Sequence, residues 1–111
     1  MPGSRIIFRI WQGWTRVERA DEFERLMTAE IFPAIAARRI EGLRGIRLLR
    51  HPVRGDEVAF MTIMQFDSWE AIHDFAGEDI EAPYLPEAAR ALLTRGDTRI
   101  RHYVQCARID L

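Results

Sequence analysis

Cysteine occurs once in the 111 residues, at Cys106, so no internal disulfide can form and a reducing compartment is the natural setting. No stretch approaches the roughly eighteen uninterrupted apolar residues of a membrane span. The opening Met1-Pro2-Gly3-Ser4-Arg5 lacks the apolar run of a secretory leader, and the chain is expected to be cytoplasmic. Basic blocks and acidic tails are also missing. Sixteen basic and seventeen acidic residues are spread along the chain for a net charge of −1, which argues against nucleic acid as a partner. Gly42, Gly45 and Gly55 make no phosphate-cradling loop, and there is no Gly-x-Ser-x-Gly elbow for a serine nucleophile. The histidines His51, His73 and His102 lack metal-ligand spacing, so no metal or other cofactor is expected.

What remains is an ordinary globular composition, 48% apolar and 30% charged, expected to form one domain over residues 1–111. Ile6 to Trp14 reads as a strand, with Ile6, Phe8 and Ile10 on one face and Ile7, Arg9 and Trp11 on the other. Asp21 and Glu24 have capping-box spacing and open a helix. Its buried stripe runs through Phe23, Leu26, Met27, Glu30, Ile31 and Ala34, with a kink or break expected at Pro33. A second strand spans Ile46 to His51 and a third Val58 to Phe66, separated by a Pro52–Asp56 turn. Asp67 and Glu70 repeat the capping spacing for a second helix, which Gly77 stops. After a loop from Glu78 to Leu85, Pro86 starts a short helix to Leu93, and Thr98 to Ile109 forms the last strand.

That order, β-α-β-β-α-(α)-β, is the pattern of a ferredoxin-like α+β fold, a four-stranded antiparallel sheet with helices on one face. The third strand is apolar on both faces, with Val58, Phe60, Met64 and Phe66 on one and Ala59, Met61 and Ile63 on the other. It and the first strand belong at the centre, and the arginine-bearing second and fourth strands at the edges. Helices on one side leave the other apolar face open, a larger patch than monomers usually tolerate. Pairing of two copies face to face, as a homodimer, is the expected cover.

Three segments carry a family resemblance: Met64-Gln65-Phe66-Asp67-Ser68-Trp69-Glu70-Ala71, Glu41-Gly42-Leu43-Arg44-Gly45 and Phe75-Ala76-Gly77-Glu78-Asp79. In order and spacing they resemble the antibiotic biosynthesis monooxygenase (ABM) superfamily of dimeric α+β barrels, over Ile6 to Tyr103. The resemblance implies a pocket between sheet and helices, and oxygenation of phenolic or quinol substrates without metal or flavin. Such a pocket deprotonates the substrate, stabilises its charge and excludes water. The Asn, Trp and His constellation of the haem-degrading members is replaced here by Trp11, Phe75 and Leu85 or Tyr84. The Trp and Tyr of phenol-oxidising members are replaced by Phe66 and Ile72.

Among acid–base groups, His51 stands close to where some oxygenase members place a histidine, which makes it the candidate catalytic residue. His102 shares a face with Ile100, Val104 and Cys106 and is a candidate binding residue or a bonded core residue. Trp11, Phe66, Ile72, Phe75 and Tyr84 complete the candidate pocket for a small apolar or aromatic molecule, and all of them could equally be core. Arg9, a charge on an apolar central strand, requires a partner, with Glu30 favoured over an anionic ligand. The leading expectation is a cofactor-independent monooxygenase of small aromatic compounds. Its rivals are a non-catalytic binding dimer, as in stress response, and a cofactor-free isomerase or cyclase.

Overall fold

The computed structural model describes residues 5–111. Strand β1 (Ile7–Arg16) alternates strictly between buried and half-exposed positions, the period-two signature of a strand with one covered face. It pairs antiparallel with β3 (Glu57–Phe66) over its whole length, and β2 (Leu43–Arg50) pairs with the far edge of β3. The two strands with the most apolar side chains are thus central, as the composition of their faces requires.

The fourth edge is divided. The sequence leads to one long strand from Thr98 to Ile109; instead β4 (Leu93–Gly96) pairs with one end of β1 and β5 (Arg101–Val104) with the other. The expected helix through Leu93 is cut to α4 (Glu87–Arg90), with Pro86 as its N-cap. The division has a visible cause at Asp97. Its amide donates to the Gln12 carbonyl, and its carboxylate accepts from the Gln12 amide, which completes the ladder locally. The chain then leaves the sheet so that Ile100 can bury its side chain and donate its amide to the Glu81 carbonyl. Among the described residues the sheet therefore has five strands in the order β2-β3-β1, with β4 and β5 sharing the last edge.

The covering helix is entered earlier than Asp21, through a 3₁₀ turn (Val17–Arg19) that leads into α1 (Ala20–Leu26). Asp21 is no cap: it and Glu24 both bind Arg50, at 2.9 and 2.7 Å, and tie the helix to β2. Before α2 (Phe32–Ala37) the helix widens into a π-turn over Met27–Ile31, in which the Phe32 amide donates to the Met27 carbonyl. Pro33 has no N–H to continue the regular ladder, so the turn takes in one extra residue at the expected break. That residue rotates the stripe. Phe23, Met27, Ile31 and Ile35 are buried, whereas Ala34 and Glu30, expected inside, are exposed.

Helix α3 (Trp69–Ala76) is capped by Ser68, whose hydroxyl accepts from the Ala71 amide at 3.1 Å. Asp67 pairs with Arg44 instead. Gly77, at φ +85°, stops the helix in a conformation that other residues rarely adopt. One core, built of Ile7, Phe23, Phe60, Phe66, Ile72 and their neighbours, lies between the sheet and these helices. Among the described residues no helix is long and apolar enough to cross a membrane.

Candidate functional site

The covered face of β1 does not pack solidly against α2 and α3. A cavity of about 40 Å³ remains, lined by Arg9 and Trp11 of β1, Thr62 of β3, Phe75 of α3, and Tyr84 and Leu85 of the 77–86 loop. Such a space holds a few water molecules at most, well short of the several hundred Å³ typical of a ligand pocket.

Trp11 is fixed from two sides. Its indole N–H donates to the Asp97 carbonyl at 3.1 Å. Its ring lies on two glycines: a Cβ at Gly13 would stand 2.2 Å from the Trp11 Cη2, and one at Gly96 2.9 Å from Cζ2. Both positions must therefore stay glycine for the indole to lie flat along the sheet. Phe75 lies between two guanidinium groups, Arg9 at 5.2 Å and Arg38 at 5.1 Å from its ring centroid. The edge of Tyr84 meets it at 5.6 Å.

Arg9 is only 3% exposed, and it has no carboxylate partner among the described residues. The expected pair with Glu30 is not formed, because the π-turn carries Glu30 to the outside of the helix. Arg9 instead donates to the carbonyls of Ile80 and, at 3.0 Å, Ala82. Its Nη1 also donates to Nε2 of His102, 3.2 Å away, which requires that nitrogen to carry a lone pair. Burial lowers the Arg9 pKa to about 10, which still leaves it charged at neutral pH. His102 is held below the usual histidine value, first by burial and then by the Arg9 charge, with Glu81 opposing.

The expected site residues therefore separate. Trp11, Phe75 and Tyr84 line the cavity. His102 reaches it only through Arg9, and its ring also meets the edge of Trp69 at 5.7 Å. Phe66 and Ile72 are fully buried in the core away from the cavity. His51 is exposed at the end of β2, its Nδ1–H donating to the Pro52 carbonyl. It lines a separate, shallow groove on the uncovered face, with Trp14, Arg54, Glu57 and Arg95. Gly13 and Thr62 carry no signal in the sequence pattern, and Gly96 reads there only as a turn; the register of β1 with β3 places Thr62 opposite Trp11, and that of β1 with β4 places Gly96 opposite Gly13. No cluster of three or more His, Cys, Asp or Glu able to hold a metal occurs among the described residues.

No protein-family model matches this sequence, and none of the curated proteins does. Solved structures do. A candidate antibiotic biosynthesis monooxygenase from Bacillus cereus superposes with a TM-score of 0.70 at 12% identity, covering 96% of this chain and 99% of that one. SnoaB, a cofactor-independent oxygenase from Streptomyces nogalater, gives 0.55 at 22% identity over 96% of this chain and 97% of its own. A heme-degrading protein from Mycobacterium tuberculosis gives 0.60 at 18% identity over 96% and 98%. The chain has the antibiotic biosynthesis monooxygenase fold. At these identities the shared fold does not by itself assign a reaction.

Proposed function

We propose that this chain is a homodimeric, cofactor-independent monooxygenase that oxidises a small aromatic, phenolic or quinol-like compound in the cavity between sheet and helices. The observation that carries the reading is the cavity's construction. Flat aromatic walls, Trp11, Phe75 and Tyr84, stand around one buried cation. The fold it shares with a cofactor-independent oxygenase supports the reading.

The chemistry such a pocket can perform follows from those groups. A phenol that ionises there becomes electron-rich enough to react with dioxygen directly, and a nearby guanidinium favours the ionised form. Conversion of a ring C–H opposite the phenolate to a quinone carbonyl is a four-electron oxidation. Dioxygen accepts those electrons, one oxygen entering the product and the other leaving as water. At about 40 Å³ the cavity must enlarge to admit a ring, and Tyr84, 47% exposed on a loop, is the wall that can move.

The dimer belongs to the same reading. Phe8, Ile10, Met61, Ile63 and Leu49 share the face that no helix covers, and Tyr103 extends it on β5. A second copy packed on that face would bury them.

Oxygen uptake by metal-stripped protein against phenols, hydroquinones and anthrones tests the proposal. Uptake above the no-protein rate, insensitive to chelator and added flavin, is expected. No uptake across the panel would favour the binding dimer or the isomerase. A His51→Ala variant run beside it should keep its turnover, since His51 stands outside the cavity; its loss would return the base to the outer groove.

A further inference from the structure

Arg9 is the one buried ionic side chain among the described residues. An interior charge is expensive to keep, and proteins that keep one ordinarily pair it with an opposite charge. Here the partners are two neutral carbonyls, a neutral imidazole and the face of Phe75. The carboxylates near this end of the molecule are engaged elsewhere: Asp79 and Glu81 both bind Arg99 on the surface, at 2.9 and 3.2 Å. The guanidinium therefore adjoins an apolar cavity with its charge uncompensated.

Both carbonyls on Arg9 belong to the 77–86 loop, the same segment that contributes Tyr84 and Leu85 to the cavity wall. A carboxylate or phenolate oxygen is a stronger acceptor for a guanidinium than a neutral carbonyl. An anion reaching Arg9 would compete for the N–H groups that now hold the loop shut. The cavity has room for an anionic head group but not for a ring, so a ring can enter only as Tyr84 moves out. Displacing that loop releases Ile80 and Ala82 from Arg9 in the same movement.

We propose that Arg9 is the seat for a flat aromatic monoanion, whose charged oxygen replaces the Ile80 and Ala82 carbonyls on the guanidinium while its ring lies among Trp11, Phe75 and Tyr84. The inference rests on reading the cavity as the ligand pocket and deepens it: the substrate class is narrowed to compounds bound as anions. Loop opening and charge pairing are then one event, and Arg9 selects the ionised form over the neutral one.

Calorimetric titration of the full chain with 1-naphthoate and with its neutral isostere 1-naphthamide decides the matter. Wild-type protein is expected to bind the anion about tenfold or more tightly than the amide, the scale of one charge-assisted hydrogen bond. Arg9→Lys should keep part of that preference, and Arg9→Met should abolish it, so that the variant binds the anion and the amide with equal affinity. Equal affinities in the wild type, binding of neither probe up to about 10 mM, or a preference that survives Arg9→Met would each overturn the proposal. The wild-type pair decides even if Arg9→Met fails to fold. Preference for the anion without oxygen uptake would uphold Arg9 and sink the oxygenase; uptake with neutral substrates and no preference would do the reverse.

Discussion

The two faces of the central strands are built from nearly the same residue types and have opposite fates. On β1, Ile7, Arg9, Trp11 and Thr15 are buried, while the alternating Phe8, Ile10 and Trp14 stay half-exposed. On β3, Val58, Phe60, Met64 and Phe66 are buried, while Ala59, Met61 and Ile63 are not. Hydrophobicity alone does not separate the faces; the helices do. The covered face can therefore enclose defects that water would erase, a buried cation and a small cavity. The uncovered face is left apolar at its centre and charged at its rim, by Arg47, Arg101 and Arg95, the last lying 4.0 Å from the Trp14 ring centroid.

The contrast is broken most severely at Phe60. That side chain is 1% exposed, packs against the Phe23 ring at 4.8 Å, and lies under the Arg50 guanidinium that ties α1 to β2. Phe60→Ala should cost about 3–5 kcal/mol, a large share of the stability of a domain this size. Denaturant unfolding measures it. A loss under about 1 kcal/mol would mean that the covered face is no better packed than the open one.

On the other face, Ile63→Asp should leave each chain folded and dissolve the proposed dimer. Ile63 is only half-buried and lies between Ile10 and Arg47 in the register, so a carboxylate there has water in the separated chain. Sedimentation should show a dimer for the parent and a monomer for the variant, with unchanged far-ultraviolet circular dichroism. A dimer in both would move the interface elsewhere, and an unfolded variant would mean that the face is covered within the chain.

The same contrast separates what periodicity reveals from what it cannot. Strands declare themselves through alternation, so the central placement of β1 and β3, both apolar faces and the covering helix are legible in the residues. Phe23, Met27 and Ile31 of the helix stripe are legible, but Glu30 and Ala34 fall outside it and Ile35 inside, because Pro33 induces a π-turn that no fixed period anticipates. The last edge misleads for a related reason: Asp97 supplies a side-chain acceptor where a ladder carbonyl is expected, and one strand becomes two. Both expected aspartate N-caps are misplaced because Asp21 and Asp67 are claimed by arginines distant in sequence, whereas Gly77 stops its helix as expected. At the site, aromatic residue type points to Trp11, Phe75 and Tyr84. Arg9's lack of a carboxylate could not be read, since it depends on the loop that brings Ile80 and Ala82 to it.

The smallest effect tests whether the covered face tolerates a second polar defect. Thr15 is fully buried beside the bulge where β1 meets β4, and its hydroxyl has no hydrogen-bond partner among the described residues. A buried hydroxyl left unbonded costs about 1–3 kcal/mol, and valine has nearly the same shape without it. Thr15→Val should therefore stabilise the chain by about 1 kcal/mol, a rise of roughly 4–8 °C in the thermal midpoint. Arg9 offers the contrast on the same strand face: its polar atoms are bonded to the loop, so removing it strands two carbonyls, whereas removing the Thr15 hydroxyl strands nothing. A lower midpoint for Thr15→Val would show that the hydroxyl is satisfied in solution by a bound water, and that Arg9 and its cavity are the one polar exception the helices enclose.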